Sequence, residues 1–272
     1  MVYNIILAGV GGQGILTTAQ AISMAALRRG MQVKQSEVHG MSQRGGAVQA
    51  HLRMSDREIF SDLIPVGRAD MILAVEPMEA LRYVQSLCET GVVVSNTVPI
   101  VNIPNYGPVE KMLELVAKHP RHVLIDADRL AGAAGSSRAM NMVILGAASV
   151  FIDIGSEDFI WAIEKMFARK GKNLIDLNQQ AFLLGRQAAN VYREGLLRGA
   201  DSRSVRQWIG SIPTEELGRG QVPEPTALST FGQECDLSQA EATAVAQFLQ
   251  EVERDQRNQL FEHEVYRIVE LV

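Results

Sequence analysis

The residues best suited to chemistry cluster in one polar stretch, SEVHGMSQRGG, at positions 36–46. It holds a carboxylate, an imidazole, a hydroxyl, an amide and a guanidinium, followed by a pair of glycines: Glu37, His39, Ser42, Gln43, Arg44, Gly45 and Gly46. Polar groups on a flexible loop after a strand suit ligand binding, and a guanidinium can form a fork to a carboxylate or a phosphate. A polar loop that merely turns the chain is an equally weighted alternative.

A second candidate is the glycine-rich stretch ILAGVGGQGI at positions 6–15, in which Gly9, Gly11 and Gly14 fit the pattern G-x-G-x-x-G. Apolar residues before it predict a buried strand over 4–8, and apolar residues at helical spacing predict a helix over 15–29. The loop, which also contains Gly12 and Gln13, therefore joins a strand to a helix N-terminus, where free N–H groups can bind phosphate. A purely structural tight turn is the alternative.

A dinucleotide site needs a second strand that ends in an acid and continues into a helix. Residues 32–37 predict that strand, and Glu37 stands at about the right distance. The next apolar residues alternate with polar ones from Val48 to Met54, which is the period of a strand. The segment 58–64, EIFSDLI, also reads as extended. A β-hairpin thus replaces the expected helix, and only the phosphate-binding half of the dinucleotide pattern is present.

The remainder of the chain predicts an α/β fold. Strands and helices alternate as far as residue 126, and only helices follow. The predicted strands are 71–75, 92–95 and 122–126. The predicted helices are 78–88, 110–118, 140–152, 156–169 and 174–197. Ser156 is the predicted N-cap of the helix at 156–169. This order predicts a Rossmann-like, mostly parallel sheet with a β-hairpin insertion after strand 2, followed by a helical C-terminal part.

Other catalytic patterns are missing from the sequence. No G-K-[ST] follows the glycine loop, and no G-x-S-x-G occurs. The two cysteines, Cys88 and Cys235, cannot supply the thiolates of an iron–sulfur cluster, and no metal site is expected. His119 and His122 read as exposed loop histidines. Asp126 and Asp128 follow a strand, where they either contact a ligand or, in the case of Asp128, cap the next helix.

The bulk properties of the 272-residue chain predict a cytoplasmic protein. Its net charge of -5 argues against nucleic acid as a partner, and no signal peptide or membrane-length apolar run occurs. We expect two parts, a Rossmann-like domain at 1–198 and an extension at 199–272. The extension begins with a proline-bearing linker or strap near 210–236, and continues with a capping box at 238–241 and two apolar stripes. These stripes cover either the chain's own core or a partner.

Four motifs in order resemble one family. GVGGQGILTTAQAI, SEVHGMSQRGGAVQAHLR, NMVILGA (141–147) and KGKNLIDLNQQAFLLGR (170–186) are similar to the gamma-type subunits of 2-oxoacid:ferredoxin oxidoreductases, in particular the beta subunit of the indolepyruvate (arylpyruvate) type. The resemblance covers about residues 1–195. The tail is longer than in the usual member, so the match does not explain it.

The resemblance implies a non-cofactor subunit of an enzyme that oxidatively decarboxylates a 2-oxoacid and is inactive alone. Thiamine diphosphate and iron–sulfur clusters lie in a large partner chain, through which ferredoxin or another acceptor receives electrons. The resemblance further implies that the glycine loop contacts coenzyme A or helps to build the subunit interface. The residues of that loop are Gly9, Gly11, Gly12, Gln13 and Gly14. The cluster at 36–46 faces the active-site cleft.

Two other functions stay open at this point. A stand-alone NAD- or FAD-dependent dehydrogenase is supported by Glu37 and opposed by the missing second helix. A non-catalytic scaffold protein would bind its partner through the apolar tail.

Overall fold

A six-stranded sheet forms the centre of the computed structural model, which describes residues 2–39, 46–101 and 106–222. The strands are β1 (Val2–Val10), β2 (Gln32–His39), β3 (Ala47–Ser55), β4 (Ala69–Ala74), β5 (Leu87–Asn96) and β6 (His122–Ile125). They lie in the order β2-β3-β1-β4-β5-β6. β1, β4, β5 and β6 are parallel neighbours, and β3 is antiparallel to both β1 and β2. The predicted mostly parallel α/β sheet is therefore confirmed.

Nine α-helices are described around this sheet. They are α1 (Ile15–Arg28), α2 (Pro77–Arg82), α3 (Val109–Ala117), α4 (Ala127–Ala133), α5 (Met140–Ala148), α6 (Ser156–Phe167), α7 (Lys172–Leu197), α8 (Ser202–Ser211) and α9 (Thr214–Gly218). α1, α5, α6 and α7 pack on one another, and α2 packs with α3. Within the described residues, no helix combines the length and the apolar character that crossing a bilayer requires.

The contact between α5 and α7 organises the helical layer. Every residue of α5 is buried, because it lies between the sheet and the long helix α7. Gly146 of α5 faces the backbone of α7, and a Cβ there would lie 1.9 Å from the carbonyl oxygen of Phe182. Gly185 of α7 faces α5 in the same way, with a Cβ position 1.9 Å from the carbonyl oxygen of Val143. The two glycines thus let the helix backbones touch.

The hairpin near the N-terminus differs in its pairing from the one expected. β2 itself forms the hairpin with β3, whereas residues 58–64 are not a strand. The reason is that β3 already has β2 on one side and β1 on the other, so no free edge remains beside it. Instead, Arg53 donates to the carbonyl oxygens of Ser61 and Leu63, and His51 Nδ1 accepts from the Ile64 N–H at 2.9 Å.

Three predicted helix boundaries are wrong. The helix expected over 140–152 ends at Ala148. The helix expected over 78–88 ends at Arg82, because Leu87 pairs with Ala69 of β4 and so begins β5. The N-cap of α6 is Gly155 and not Ser156, which is already the first helical residue. The expected acids of its first turn are present, and Asp158 forms ion pairs with Arg28 and Arg29 at the end of α1.

The first part of the expected linker belongs to the core. α8 and α9 pack against α7, and Ile209, Ile212 and Leu217 are buried in the main apolar cluster. Residues 210–222 are therefore not a free strap. The rest of the strap, the capping box and both apolar stripes lie outside the described residues, and the division of the chain at residue 198 stays a prediction.

Candidate functional site

The glycine loop lies at the carboxyl end of β1, between the sheet and α1, as the sequence predicts. Gln13 holds its shape from inside: the Val10 N–H donates to Gln13 Oε1 at 2.7 Å, and Gln13 Nε2 donates to the carbonyl oxygen of Val75 at 3.1 Å. The loop is thereby tied to the end of β4. Gln13 supports the backbone of the loop through these bonds, which is a structural role that the motif alone did not specify.

Two glycines of the loop are needed for different physical reasons. Gly14 precedes α1 with φ of 79°, a left-handed conformation that side chains disfavour, and a Cβ there would lie 2.6 Å from Asn141 Nδ2. Gly9 is crowded, because its Cβ would lie 2.3 Å from Cγ2 of Val75. The carbonyl oxygen of Gly14 accepts from Asn141 Nδ2 at 3.2 Å. The start of α1 is thus held against α5, and the NMVILGA motif joins the glycine motif in space.

The glycine loop also contacts the end of the polar stretch. The Gly11 N–H donates to the carbonyl oxygen of Gly46 at 2.8 Å. Of the other residues predicted to face a cleft, Ser42, Gln43, Arg44 and Gly45 lie outside the described residues. The contact at Gly46 nevertheless places the described end of the polar stretch directly beside the loop.

Glu37 and His39 lie on β2, with the strand β3 between them and β1. The register aligns His39 with Val48 and Val48 with Gly9, and it aligns Glu37 with Ala50. Adjacent strands are about 4.8 Å apart, so two strand spacings, or about 10 Å, separate β2 from β1. Glu37 is exposed, and its Oε1 accepts from Gln35 Nε2 at 2.6 Å.

This arrangement differs from a dinucleotide site. There the acid follows a strand in direct parallel contact with the strand of the glycine loop, so that it reaches the ribose of the same ligand. Here the antiparallel strand β3 occupies that position. The geometry therefore gives no support to the interpretation as an NAD- or FAD-dependent dehydrogenase.

A buried carboxyl group, which the sequence analysis did not single out, lies at the end of β4. Glu76 is fully buried, its Oε2 accepts from the Glu79 N–H at 2.9 Å to cap α2, and its Oε1 accepts from the Tyr106 hydroxyl. Burial raises the pKa of Glu76, and the Tyr106 hydrogen bond opposes that rise. Its position directly after a buried strand and before a proline was the available signal. Since it is fully buried, Glu76 positions α2 and does not itself contact a ligand.

The end of β5 carries a second residue that the sequence analysis missed. Asn96 Nδ2 donates to Asp128 Oδ2 at 2.8 Å, and its Oδ1 accepts from the Ala127 N–H at 3.0 Å. Asp128 therefore does not cap α4. That role belongs to Asp126, whose Oδ1 accepts from the Arg129 N–H at 2.8 Å.

The two loop histidines are buried, which corrects the expected exposure. His122 starts β6 and contacts the Tyr192 ring edge-on at 5.7 Å, and its Nδ1 lies 2.6 Å from the carbonyl oxygen of His119. Burial lowers the pKa of His122 to about 4, and it also lowers the pKa of His119. In the described part of the chain, no group of three or more His, Cys, Asp or Glu side chains is placed to hold a metal ion.

The geometry of the loop fits an anionic ligand group better than a metal or a catalytic pair. Gly12 is exposed at the tip of the loop, and the space where a side chain would lie is open. The first N–H groups of α1 follow directly, and helix N-termini attract negative charge. An anionic group at this loop would therefore lie next to the positive end of the α1 dipole.

Comparison with known proteins agrees with this fold. The family model for pyruvate ferredoxin/flavodoxin oxidoreductase matches residues 4–188, and the chain belongs to that family. A curated relative, the indolepyruvate oxidoreductase subunit IorB of Thermococcus kodakarensis, is 39% identical over 196 residues, which are 69% of this chain and 96% of that subunit.

Solved structures show the same fold in two contexts. The gamma subunit of a keto/oxoacid ferredoxin oxidoreductase from Geobacter sulfurreducens has a TM-score of 0.51 and 25% identity, over 69% of this chain and 98% of that one. A 2-oxoglutarate:ferredoxin oxidoreductase from Magnetococcus marinus has a TM-score of 0.56 and 22% identity, over 70% of this chain but 31% of that one. The fold thus occurs both as a separate chain and as part of a longer one.

Proposed function

We propose that this chain is the small subunit of a 2-oxoacid oxidoreductase of the indolepyruvate type. The observation that carries the proposal is the 39% identity to an indolepyruvate oxidoreductase subunit across 96% of that subunit's length. The gamma subunit of similar fold, matched over 98% of its length, supports the role of a separate small subunit.

The residues of the described chain do not fit the redox cofactors of such an enzyme. Iron–sulfur clusters need several thiolates, whereas the whole chain has two cysteines, of which Cys88 is a free thiol. We therefore assign the clusters to a large partner chain, which passes electrons to ferredoxin or another acceptor. We assign thiamine diphosphate to the same partner, as the family resemblance implies.

The glycine loop is the surface that we assign to the active-site cleft. The Gly11–Gly46 contact brings the loop and the polar stretch together at the carboxyl edge of the sheet. An anionic group at the open loop, such as a phosphate of coenzyme A, would receive hydrogen bonds from the first N–H groups of α1. When bound, coenzyme A would accept the acyl group, and the role of this chain would be to hold its phosphates and exclude water.

Purification of the tagged full chain from its native cells tests the proposal. We expect a brown complex with a large thiamine- and cluster-bearing partner, which oxidises indolepyruvate and reduces ferredoxin. The same chain expressed alone should be colourless and inactive. Turnover of a 2-oxoacid by the isolated chain, or saturable binding of NAD to it, would contradict the proposal.

A further inference from the structure

A pocket of about 290 Å³ lies at the carboxyl ends of β5 and β6, away from the glycine loop. α3, α4 and α8 surround it. In the order of the sheet, β4 lies between β5 and β1, the strand that carries the glycine loop. Carboxyl ends of parallel strands are where open α/β sheets bind ligands. The volume is at the lower end of the range for small-molecule sites. The pocket is therefore sized for a compact ligand.

Three arginines line this pocket: Arg129, Arg203 and Arg206. The first is fixed by its Nη2, which donates to the carbonyl oxygen of Ile209 at 2.9 Å. The third is fixed by an ion pair, in which its Nη2 lies 3.0 Å from Glu110 Oε2. Two guanidinium groups are thus held in place before any ligand arrives.

Arg203 differs from the other two arginines. It is exposed, and among the described residues its guanidinium has no hydrogen-bond or ion-pair partner. Its charge nevertheless acts on the pocket, because it lowers the pKa of the Glu110 carboxyl after the larger effect of the Arg206 hydrogen bond. Of the three arginines, Arg203 is therefore the one whose whole guanidinium has no partner among the described residues and can turn toward a ligand.

The charge balance of the pocket indicates the charge of that ligand. Three arginines face two carboxylates, Glu110 and Asp126, so that one positive charge remains. A single carboxylate matches this excess better than a phosphate dianion does. The guanidinium fork also fits the planar geometry of a carboxylate.

The other lining residues indicate the body of the ligand. Leu124, Ile125, Leu130 and Ile209 contribute to the wall, and Gln207 is polar but uncharged. Ligand sites commonly combine such an apolar wall with a few placed polar groups. We propose that this pocket binds an organic monocarboxylate with a compact apolar body, and that Arg203 closes onto its carboxylate.

Calorimetric titration of the full chain with phenylacetate tests the proposal, and neutral phenylacetamide serves as the matched ligand. We expect saturable binding of phenylacetate. The affinity for the amide should be at least about tenfold lower, or its binding undetectable, since a charge-assisted hydrogen bond contributes roughly 1.5–3 kcal/mol. The affinity of the variant Arg203→Gln for phenylacetate should be lower than that of the unmodified chain by about tenfold or more. The matched control Arg169→Gln, also exposed but outside the pocket, should bind as the unmodified chain does.

Three results with phenylacetate and its amide would overturn the proposal. They are the absence of phenylacetate binding, equal affinity for phenylacetate and its amide, and equal loss in the Arg203→Gln and Arg169→Gln variants. Binding of inorganic phosphate in preference to phenylacetate would also overturn it, because the site would then select a phosphate. Because Arg203 is exposed, its substitution should leave the melting temperature unchanged, which a thermal melt of each variant checks.

Discussion

The backbone N–H of Gly11 donates to the carbonyl oxygen of Gly46 across 2.8 Å, so two motifs that are 35 positions apart meet at one point. One motif is the strand-to-helix glycine loop, and the other is the end of the polar stretch that leads into β3. The contact exists because β3 runs antiparallel to β1, so the start of β3 pairs with the end of β1, where the loop begins. A ligand group at the loop would therefore lie beside Gly46, the described end of the polar stretch.

We predict that Gly14→Ala costs more stability than Gly30→Ala. Both glycines have positive φ, 79° and 76°, so both substitutions pay about 1–2 kcal/mol for the left-handed conformation. Only at Gly14 does the new Cβ also meet Asn141 Nδ2, at 2.6 Å, whereas the space beside Gly30 is open. Urea unfolding of both variants should show an additional loss of roughly 1–3 kcal/mol at Gly14. Equal losses would show that the Asn141 contact does not constrain the loop.

We predict that Gly146→Ala strongly destabilises the chain, by about 3 kcal/mol or more, because a new Cβ would overlap the backbone of α7. The matched control is Gly132→Ala, at an exposed position of α4 with open space around it. There the better helix propensity of alanine should leave stability unchanged or raise it by up to about 1 kcal/mol. Thermal melts compare the two, and similar melting temperatures would contradict the close contact of α5 and α7.

Tyr106→Phe should destabilise the chain by about 1–3 kcal/mol at neutral pH, because it removes the hydroxyl that stabilises the buried Glu76 carboxylate. Burial raises the pKa of Glu76 in the folded chain above its unfolded value of 4.5. The stability that Glu76 contributes is therefore fully present below pH 4.5 and is lost as the pH rises through the folded pKa. Without Tyr106 that pKa should rise further, so the loss should grow from acidic to alkaline pH.

The background Glu76→Gln is the control for this prediction, because it removes the charge and keeps an oxygen as acceptor. Unfolding free energies of the two single variants and the double variant give the coupling between the residues. We expect the cost of Tyr106→Phe to shrink and to lose its pH dependence in the glutamine background. An unchanged, pH-independent cost would mean that the hydroxyl does not act through the carboxylate.

Stability should fall as the pH drops below about 6.5, and His122 should cause part of that fall. Its pKa in the folded chain is about 4, against 6.5 in the unfolded chain, so the unfolded state binds the proton more readily between these values. The free energy of unfolding therefore rises with pH across this window, by at most a few kcal/mol. Urea unfolding between pH 5 and 7 should show a flatter slope for His122→Phe than for the unmodified chain. The same slope in both would exclude His122 as a contributor.

Local chemistry made the start of the site predictable. An apolar run, four glycines and an amphipathic stretch dictate a strand, a turn and a helix in that order, because each depends on neighbouring residues. Alternation from Val48 to Met54 likewise predicted a strand, and the wholly apolar stretch in NMVILGA predicted a buried helix. The family resemblance came from the same short motifs, and the family match bears it out.

Tertiary structure alone decided which elements become neighbours. Alternation predicts a strand but not its partners, so it could not show that β3 inserts between β1 and β2 and leaves 58–64 without an edge to join. A loop position between a helix and a strand predicted exposed histidines at 119 and 122, yet both are buried, and α7 covers His122 with the ring of Tyr192. Glu76 and Asn96 gained their roles in the same way, since a strand end becomes a site only when other strands and helices bring partners to it. Contacts between distant segments carry no local pattern, because their free energy comes from packing that forms only when the whole sheet is assembled.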